Sequence, residues 1–443
     1  MVPVTGTSGT TTVGARAPIA LADLHGSLAD PVLDSMTFLN EIAGRFPDAV
    51  SFAAGRPYEE FFEVEAVHRY LRRYCDHLRD EQGLSERQVN RVLLQYGRTK
   101  GIVHDLVATN LSVDEGMDVD PEAVVVTVGA QEAMFLVLRA LRTDPRDVLL
   151  AVSPNYVGIR GAASLVDMTT LSVRDGSRGI DLADLARVVR SARAAGQRPR
   201  ALYLVPDFAN PAGASLDTET RVAVLRAAVE HDLLILEDNP YGLFHAGGDR
   251  PPTLKAMDDE RRVVYLGSFA KTGMPGARVG YVVADQPVAG PTGTGLLADE
   301  LSKIKSMVTV NTSPLAQAVI AGKLLEHDCS LVRANEREAQ AYRRNLRHVL
   351  DGLAARFGQG AGVSWNTPGG GFFLVVTVPF VVDDALLERS ARDFGVLWTP
   401  MHHFYADGGG RHQLRLSVSL LQPPQIEQGL DRLAALITEV RPV

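Results

Sequence analysis

The 443-residue chain has little of what several protein classes need. Its only two cysteines, Cys75 and Cys329, are too few and too far apart for a disulfide framework or a metal-ligand cluster, so we expect two ordinary thiols in a reducing, cytoplasmic compartment. The formal net charge of −8 lacks the cationic excess of a nucleic-acid-binding surface. No run reaches the ~18 apolar residues of a membrane span. We therefore expect neither a nucleic-acid partner nor a membrane partner.

The first twenty residues are rich in Thr, Gly, Ser and Pro, and they lack a basic start followed by an apolar core. We therefore expect a flexible leader over residues 1–20 and not a signal peptide. The chain is 46% apolar, and its length is enough for two or three domains with a large buried core.

The middle of the chain alternates short β-branched runs with helical patterns. The predicted strands are Ala123–Val128, Val148–Val152, Ala201–Val205, Leu233–Leu236, Val263–Leu266 and Arg278–Val283, and the predicted helices between them include Gln131–Leu141 and Thr218–His231. Because these strands are apolar at nearly every position, helices should cover both faces of their sheet. The pattern predicts a three-layer α/β domain with a mostly parallel sheet.

The C-terminal part has a different character. It contains a long charged helical pattern, two strand-like runs and a closing helix: Ser330–Phe357, Phe372–Val378, Gln413–Ser419 and Pro424–Val440. This order predicts a smaller α+β domain. After the leader we expect an N-terminal arm with part of the small domain over 21–95, the large domain over 96–330 and the C-terminal small domain over 331–443.

Lys271 is one of only six lysines, and it follows an apolar strand in the segment Ser268-Phe-Ala-Lys271. Burial at a strand end disfavours the ammonium form and lowers the pKa of the amine, as a Schiff-base lysine requires. Ser268 and Arg278 flank it with a hydroxyl and a guanidinium, which together suit a phosphate monoester. The alternative is a strand-to-loop turn with a solvated lysine.

Three further segments place polar groups where predicted strands end. Asn210 begins the turn Asn210-Pro-Ala-Gly213, at the edge where an α/β sheet binds its ligands. Asp238 follows another apolar strand and suits the role of holding a proton on a pyridine nitrogen. Gly129 joins a strand to a helix, whose first backbone N–H groups form an anion site. Each signal is weak alone, because an ordinary turn or a solvated acid explains it equally well.

Taken in order, these segments resemble the fold-type I pyridoxal phosphate (PLP) enzymes of the class I/II aminotransferase branch, over nearly the whole chain beyond about residue 21. The matching motifs are Gly129, Asn210-Pro-x-Gly, Asp238-x-x-Tyr241, Ser268-x-x-Lys271 and Arg278. The resemblance implies a PLP cofactor, a homodimer with shared active sites, and transfer of an amino group between an L-amino acid and a 2-oxo acid.

The resemblance also implies a role for each matching residue. Lys271 binds the cofactor as an imine and moves the substrate α-proton, Asp238 pairs with the ring nitrogen, and Tyr241 completes the catalytic set. Asn210 and Tyr241 hydrogen-bond the ring hydroxyl. The remaining cofactor-binding residues contact the phosphate or the ring: Gly129, Ala130, Gln131, Tyr156, Ser268, Arg278 and, from the other subunit of a dimer, Tyr96.

Three residues are implied on the substrate side. Arg415 resembles the arginine that binds the substrate α-carboxylate, a group that a planar guanidinium fits better than an ammonium. Gly55 resembles the loop that closes over the substrate, and Asn210 completes the set. The similarity is to the 2-aminoadipate and aromatic branch and, through segments 24–31 and 55–57, to aminotransferases of actinobacterial specialised metabolism such as antibiotic biosynthesis. It implies an aromatic or arylglycine amino acid.

Two positions, Ala212 and Ala270, depart from the family pattern, because relatives often carry a hydroxyl there. We therefore expect the phosphate to be bound slightly more weakly.

A PLP-dependent oxidase, lyase or cyclase would keep the same cofactor residues, so that alternative stays open. A PLP-sensing transcription regulator would carry a basic winged-helix segment in front of this scaffold, where we find only the leader. His402 and His403 have no Cys, Asp or Glu at ligand spacing, so we expect no metal site.

Overall fold

A computed structural model describes residues 18–441 apart from 246, 248, 249, 292 and 359–361, with only the backbone of 39 and 40. The expected leader therefore lies mostly outside the described residues. The helices are α1 Pro31–Arg45, α2 Val64–Asp76, α3 Glu86–Leu94, α4 His104–Glu115, α5 Gly129–Leu141, α6 Val157–Leu165, α7 Leu182–Ala194, α8 Thr218–Glu230, α9 Leu297–Val308, α10 Pro314–Glu326, α11 Leu331–Ala334, α12 Glu336–Arg356, α13 Asp384–Arg389 and α14 Pro423–Val440.

The strands are β1 Val50–Ser51, β2 Val124–Thr127, β3 Asp147–Ser153, β4 Thr169–Arg174, β5 Arg198–Leu204, β6 Leu234–Asp238, β7 Val263–Ser268, β8 Gly280–Val283, β9 Pro287–Gly290, β10 Gly293–Leu296, β11 Ser364–Trp365, β12 Phe373–Thr377, β13 Val396–Leu397, β14 Thr399–Pro400 and β15 Gln413–Ser417. Single turns of 3-10 helix lie at Leu21–Asp23, Gly26–Ala29, Glu59–Phe61, Pro121–Ala123, Lys255–Met257, Pro275–Ala277 and Met401–Phe404. Single turns of π-helix lie at His77–Glu81 and Ser390–Phe394.

A seven-stranded sheet in the order β2-β8-β7-β6-β5-β3-β4 confirms the predicted α/β domain. The pairs from β4 through β7 are parallel, whereas β8 is antiparallel to both β7 and β2. Because β8 runs in reverse, its first residue, Gly280, lies beside Ser268 and Thr127 at the carboxyl ends of their strands. Arg278, two residues before Gly280, is thereby brought to the ligand-binding edge of the sheet.

The small domain is built on an antiparallel sheet in the order β11-β12-β15-β14. Arg415 of β15 pairs with Val375 on one side and Thr399 on the other, so its side chain projects from an inner strand of this sheet. The N-terminal segment joins the same domain, because β1 pairs in parallel with β13. Phe52, directly after β1, is buried in the core cluster of the small domain.

One predicted helix differs from the structure, and several observed strands were not predicted. The helix predicted over Ser330–Phe357 is wrong as a single element, because it divides at Asn335 into α11 and α12. Asn335 has φ −119° and ψ 22°, and its side-chain amide donates to the carbonyl oxygen of Leu331 at 2.8 Å. Such a local side-chain-to-backbone bond competes with a continuous helix. The edge strand β4 was not predicted.

Other apolar clusters extend the core across the predicted domain boundaries. Tyr74 and Leu93, from the predicted arm, pack in one cluster with Val124 and Tyr265 of the large sheet. The boundaries at 95 and 330 stay predictions. Among the described residues, no helix is both long and apolar enough to cross a membrane.

Candidate active site

A cavity of about 240 Å³ lies at the carboxyl edge of the large sheet, facing the small domain. Its lining contains every predicted site residue except Gly129 and Tyr96: Gly55, Ala130, Gln131, Tyr156, Asn210, Asp238, Tyr241, Ser268, Lys271, Arg278 and Arg415. Residues from both domains and from the N-terminal segment thus meet in one place, as the carboxyl-edge rule for α/β sheets predicts.

Asp238, the last residue of β6, presents one free carboxylate oxygen to the cavity. Its Oδ2 accepts a hydrogen bond from the Tyr203 hydroxyl at 2.6 Å, whereas its buried Oδ1 has no partner among the described residues. Burial raises the pKa of Asp238 to about 6, against the opposing effects of the Tyr203 bond and Lys271. A buried unpaired acceptor costs free energy, so Oδ1 is suited to a cationic N–H donor from a bound group.

Lys271 extends into the cavity three residues after β7 ends, and its Nζ donates to the carbonyl oxygen of Gly55 at 2.7 Å. Burial lowers the pKa of this amine to about 8, and neighbouring guanidinium groups, that of Arg415 foremost, act in the same direction. A substantial fraction of the amine is then neutral near physiological pH, which a nucleophilic lysine needs.

The residues at the Arg278 end of the cavity supply groups that bind anions. Gly129 opens α5 with φ +75°, and a Cβ added there would lie 2.5 Å from Nη2 of Arg278. The guanidinium is therefore close to the first free N–H groups of the helix. Ser268 Oγ accepts from the backbone N–H of Ala270 at 3.1 Å, which leaves the hydroxyl proton available.

Arg415 forms the opposite end of the cavity. Its Nη1 donates to Asn210 Oδ1 at 2.5 Å, and its Nη2 donates to the carbonyl oxygen of Ala53 at 2.9 Å. The guanidinium carbon lies 4.2 Å from the ring centre of Phe373 and 4.9 Å from that of Phe404. Burial lowers the pKa of Arg415 to about 10, so the group stays cationic at neutral pH, held between two aromatic faces.

The remaining predicted residues line the middle of the cavity. Tyr241 is hydrogen-bonded to Asn210, and burial raises the pKa of its phenol far above the usual range. Burial also raises the pKa of Tyr156 to about 12, so both phenols stay protonated as donors. Gln131 donates through Nε2 to the carbonyl oxygen of Gly158 at 2.8 Å, which holds its side chain beside Tyr156.

Sequence reasoning missed four residues with a clear place in the site: Tyr203, Phe373, Phe404 and Met36. Tyr203 has a signal in the sequence, because it is the one polar side chain in the apolar run Ala201–Val205, and its strand pairs with the strand that ends in Asp238. The other three are ordinary apolar residues, and only the fold brings them to the cavity.

Sequence spacing gave no sign of an acid beside His402 and His403, but the fold brings Asp384 to both rings. Asp384 Oδ1 lies 2.8 Å from His403 Nε2 and 3.7 Å from His402 Nε2. The reason is the chain reversal between α13 and the turn Met401–Phe404, which joins residues that are distant in sequence.

Comparisons with known proteins agree with this geometry. Residues 77–433 match the family model described as aminotransferase class I and II. The chain is 57% identical over 425 residues to the (S)-3,5-dihydroxyphenylglycine transaminase of Amycolatopsis orientalis, with 96% of each chain covered.

Two solved structures are also similar. The kynurenine aminotransferase of Pyrococcus horikoshii, in complex with PMP, matches with a TM-score of 0.78 and 26% identity, over 91% of this chain and 95% of that one. The α-aminoadipate aminotransferase of Thermus thermophilus, complexed with N-(5'-phosphopyridoxyl)-L-leucine, matches with a TM-score of 0.73 and 29% identity, over 92% and 97%. Both matches extend over the large and the small domain.

Proposed function

The chain belongs to the class I and II aminotransferase family, and from this premise we propose that it moves the amino group between an arylglycine and a 2-oxo acid. It is a PLP-dependent aminotransferase, with an amino acid and a 2-oxo acid as substrates. The observation that carries the finer proposal is the 57% identity, over 96% of the chain, to an enzyme named for (S)-3,5-dihydroxyphenylglycine.

The residues of the cavity fit PLP at both ends of the cofactor. The unpartnered Oδ1 of Asp238 would accept a hydrogen bond from the pyridine N–H, and the N-terminus of α5 with Arg278 and Ser268 would hold the phosphate. Tyr241 and Asn210, which are hydrogen-bonded to each other, would bind the ring hydroxyl, and the Tyr156 ring would pack on one face of the cofactor ring. When bound, PLP supplies an electron sink for the charge that develops at the substrate α-carbon.

Lys271 holds and moves the proton of the reaction. Its amine is neutral in a large fraction of molecules near pH 8, so Nζ can accept the α-proton of a substrate positioned beside it. Asp238 does not take up the moving proton. Its carboxylate would stabilise the positive charge of the protonated pyridine nitrogen.

An arylglycine suits the Arg415 end of the cavity. In such an amino acid the aromatic ring is attached directly to the α-carbon, so the ring lies next to the carboxylate that the guanidinium binds. Phe373 and Phe404 flank that guanidinium, and Met36 and Val157 add apolar surface to the lining. A substrate aromatic ring would pack favourably against these aromatic side chains.

The test is a substrate panel with the purified holoenzyme. We expect kcat/KM for (S)-3,5-dihydroxyphenylglycine or phenylglycine, with a 2-oxo acid acceptor, to exceed that for phenylalanine and 2-aminoadipate by at least about tenfold. One extra methylene in a substrate pocket lowers kcat/KM by about this factor. Equal or better turnover of 2-aminoadipate would refute the arylglycine proposal. Repeated turnover without any acceptor, beyond one product molecule per active site, would refute amino transfer itself.

Gly129→Ala should weaken PLP binding by about tenfold to a hundredfold, the value of one hydrogen bond to a charged group. The new Cβ would displace the Arg278 guanidinium, which approaches to 2.5 Å. Gly116→Ala is the matched control, since Gly116 also has a positive φ, +65°, but nothing lies within 4 Å of its Cβ position. Equilibrium dialysis of both apoenzymes against PLP checks the difference; equal affinities would contradict the assignment.

The proposal includes a homodimer with shared active sites. Two segments carry exposed apolar side chains, with Leu94 72% and Tyr96 81% exposed on one and Met307 84% exposed on the other. They adjoin, because a Cβ on Gly97 would lie 4.0 Å from the side chain of Asn311. Exposed apolar patches of this kind mark interfaces. Tyr96 does not line the cavity of its own chain, and the family resemblance implies that it would contact the phosphate in the partner's site.

Tyr96→Phe should therefore lower PLP affinity by about tenfold, through loss of one hydrogen bond to the phosphate, and leave the dimer intact. Leu94→Asp should lower both the dimer fraction and the PLP affinity, because it places a charge in the apolar patch. Sedimentation velocity and PLP titration separate the two effects. A wild-type monomer that binds PLP fully, or a Tyr96→Phe variant with unchanged affinity, would contradict shared sites.

We also propose a cytoplasmic location and domain divisions near residues 95 and 330. Both cysteines, Cys75 and Cys329, are free thiols, which suits a reducing compartment. Cell fractionation tests the location, and export of the protein into the medium would contradict it. Limited proteolysis with mass spectrometry of the fragments tests the domain divisions, and first cleavages inside the sheets would contradict them.

A further inference from the structure

Two imidazoles and one carboxylate converge at a groove of about 990 Å³ between α1, α6 and the small domain. None of the three residues lines the active-site cavity. Nε2 of His403 and Nε2 of His402 approach the same oxygen, Asp384 Oδ1, at 2.8 and 3.7 Å. Ligand atoms from all three residues lie within 4.8 Å of one another. One hydrogen bond explains the approach of His403, but it does not explain two ring nitrogens that meet at one oxygen.

The other contacts of both rings fix their orientation. His403 Nδ1 lies 3.0 Å from Ser35 Oγ of α1, and the His402 ring is hydrogen-bonded to the backbone of Val382. Because a hydroxyl both donates and accepts, His403 can move its ring proton to Nδ1 and expose a lone pair at Nε2 without losing Ser35. Outer contacts of this kind orient metal-binding histidines.

We propose that Asp384, His402 and His403 form a binding site for a divalent transition-metal ion of the Zn²⁺ type. Two imidazoles and a carboxylate are donors that Zn²⁺ prefers, at about 2.0–2.2 Å from the ion. Neighbouring ligand atoms of a tetrahedral site then lie roughly 3.3 Å apart, and the two observed separations bracket that value. Three protein ligands leave one position for water on the groove side.

The groove is acidic around this cluster. Asp30, Asp34 and Asp167 line it together with the three proposed ligands. Arg160 also lines it, but its guanidinium donates to the carbonyl oxygen of His403 and is attracted by Asp30. Carboxylates outnumber the guanidinium, so the local potential favours a cation that enters from solvent.

The proposed ion would join two segments that are distant in sequence. Asp384 begins α13, and the histidines belong to the turn Met401–Phe404, whose last residue packs against Arg415. A bound ion would hold this turn against α13. Binding should therefore raise the thermal midpoint of the holoenzyme, because only the folded chain brings the ligands together.

The experiment is calorimetric titration of the PLP-loaded protein with ZnCl₂ in a phosphate-free buffer. We expect one ion bound per chain with a Kd in the micromolar range or below, and no heat with MgCl₂, since imidazole ligands disfavour Mg²⁺. His402→Ala and Asp384→Asn should each weaken Zn²⁺ binding at least about tenfold, and Ser35→Ala should weaken it about tenfold through the orientation of His403. Co²⁺ in place of Zn²⁺ should give visible absorption bands that the first two variants lose.

His68→Ala is the matched control, because His68 also lies beside a carboxylate, Glu65 at 3.4 Å, but belongs to no cluster of three ligand side chains among the described residues. It should leave Zn²⁺ binding unchanged. The ligand variants remain interpretable because His402 and Asp384 are partly exposed, and an unchanged PLP spectrum reports a folded protein. The proposal is overturned if the wild type binds no Zn²⁺ at 100 µM or so, or if His402→Ala and Asp384→Asn bind it as the wild type does.

Discussion

Lys271→Ala is expected to abolish covalent binding of PLP and to lower the rate of amino transfer by at least about 10⁴-fold. The substitution removes both the amine that captures the cofactor and the base that moves the α-proton, and the base alone contributes roughly 10²–10⁴. The burial that lowers the pKa of Lys271 to about 8 serves both roles, because each needs the neutral amine. The absorbance spectrum of the PLP-treated variant, with and without substrate, measures the loss.

Lys323→Met is the control for this prediction. Lys323 is also buried, burial also lowers its pKa, and it donates to the carbonyl oxygen of Thr272, next to Lys271. The variant should retain the spectrum of the covalently bound cofactor and turn over normally, because Lys323 does not line the cavity. A Lys271→Ala variant that still binds PLP covalently and turns over would overturn the assignment.

The same pKa predicts how cofactor capture depends on pH. The Lys271 amine is protonated below its pKa, so the rate at which apoenzyme captures PLP should fall about tenfold for each pH unit below 8 and level off above it. Stopped-flow absorbance between about pH 6 and pH 10 checks this. A rate that keeps rising to pH 10 would mean that the lysine has the pKa of a solvated amine.

The sequence predicted the large domain well because its strands are nearly all apolar and end in polar residues. β6 and β7 each show this pattern, and they end at Asp238 and Ser268. The edge strand β4, Thr169–Arg174, has only one fully buried residue, Val173, so its composition gave no comparable signal. Edge strands that face solvent are mixed in polarity and are harder to recognise.

The rest of the site depends on contacts between residues far apart in sequence. Phe373 and Phe404 flank Arg415, yet nothing in either local segment distinguishes them from ordinary core residues. Asp384 and His403 likewise meet only through the chain reversal of the small domain. Motifs at strand ends are local and readable, whereas side chains that meet across two domains are decided by tertiary packing.

Asp238→Asn is the second change with a large expected effect, and it should lower kcat by roughly 10²–10³-fold, the usual value of one preorganised electrostatic group. An amide cannot carry the negative charge that keeps the pyridine nitrogen protonated, so the electron sink weakens while the shape of the site is kept. Tyr203→Phe should cost only about tenfold, because it removes the 2.6 Å hydrogen bond that positions the carboxylate but leaves the charge.

A cofactor with a permanent positive charge separates this role from simple disruption of the pocket. N-methylated PLP carries the charge without any proton, so it should restore a large part of the activity lost in Asp238→Asn and add nothing to the wild type. Restoration requires that the variant pocket still binds the cofactor, which its absorbance reports independently. If the variant binds N-methylated PLP and stays as slow as with PLP, the carboxylate does not act by stabilising a ring cation, and its unpartnered Oδ1 must serve another donor.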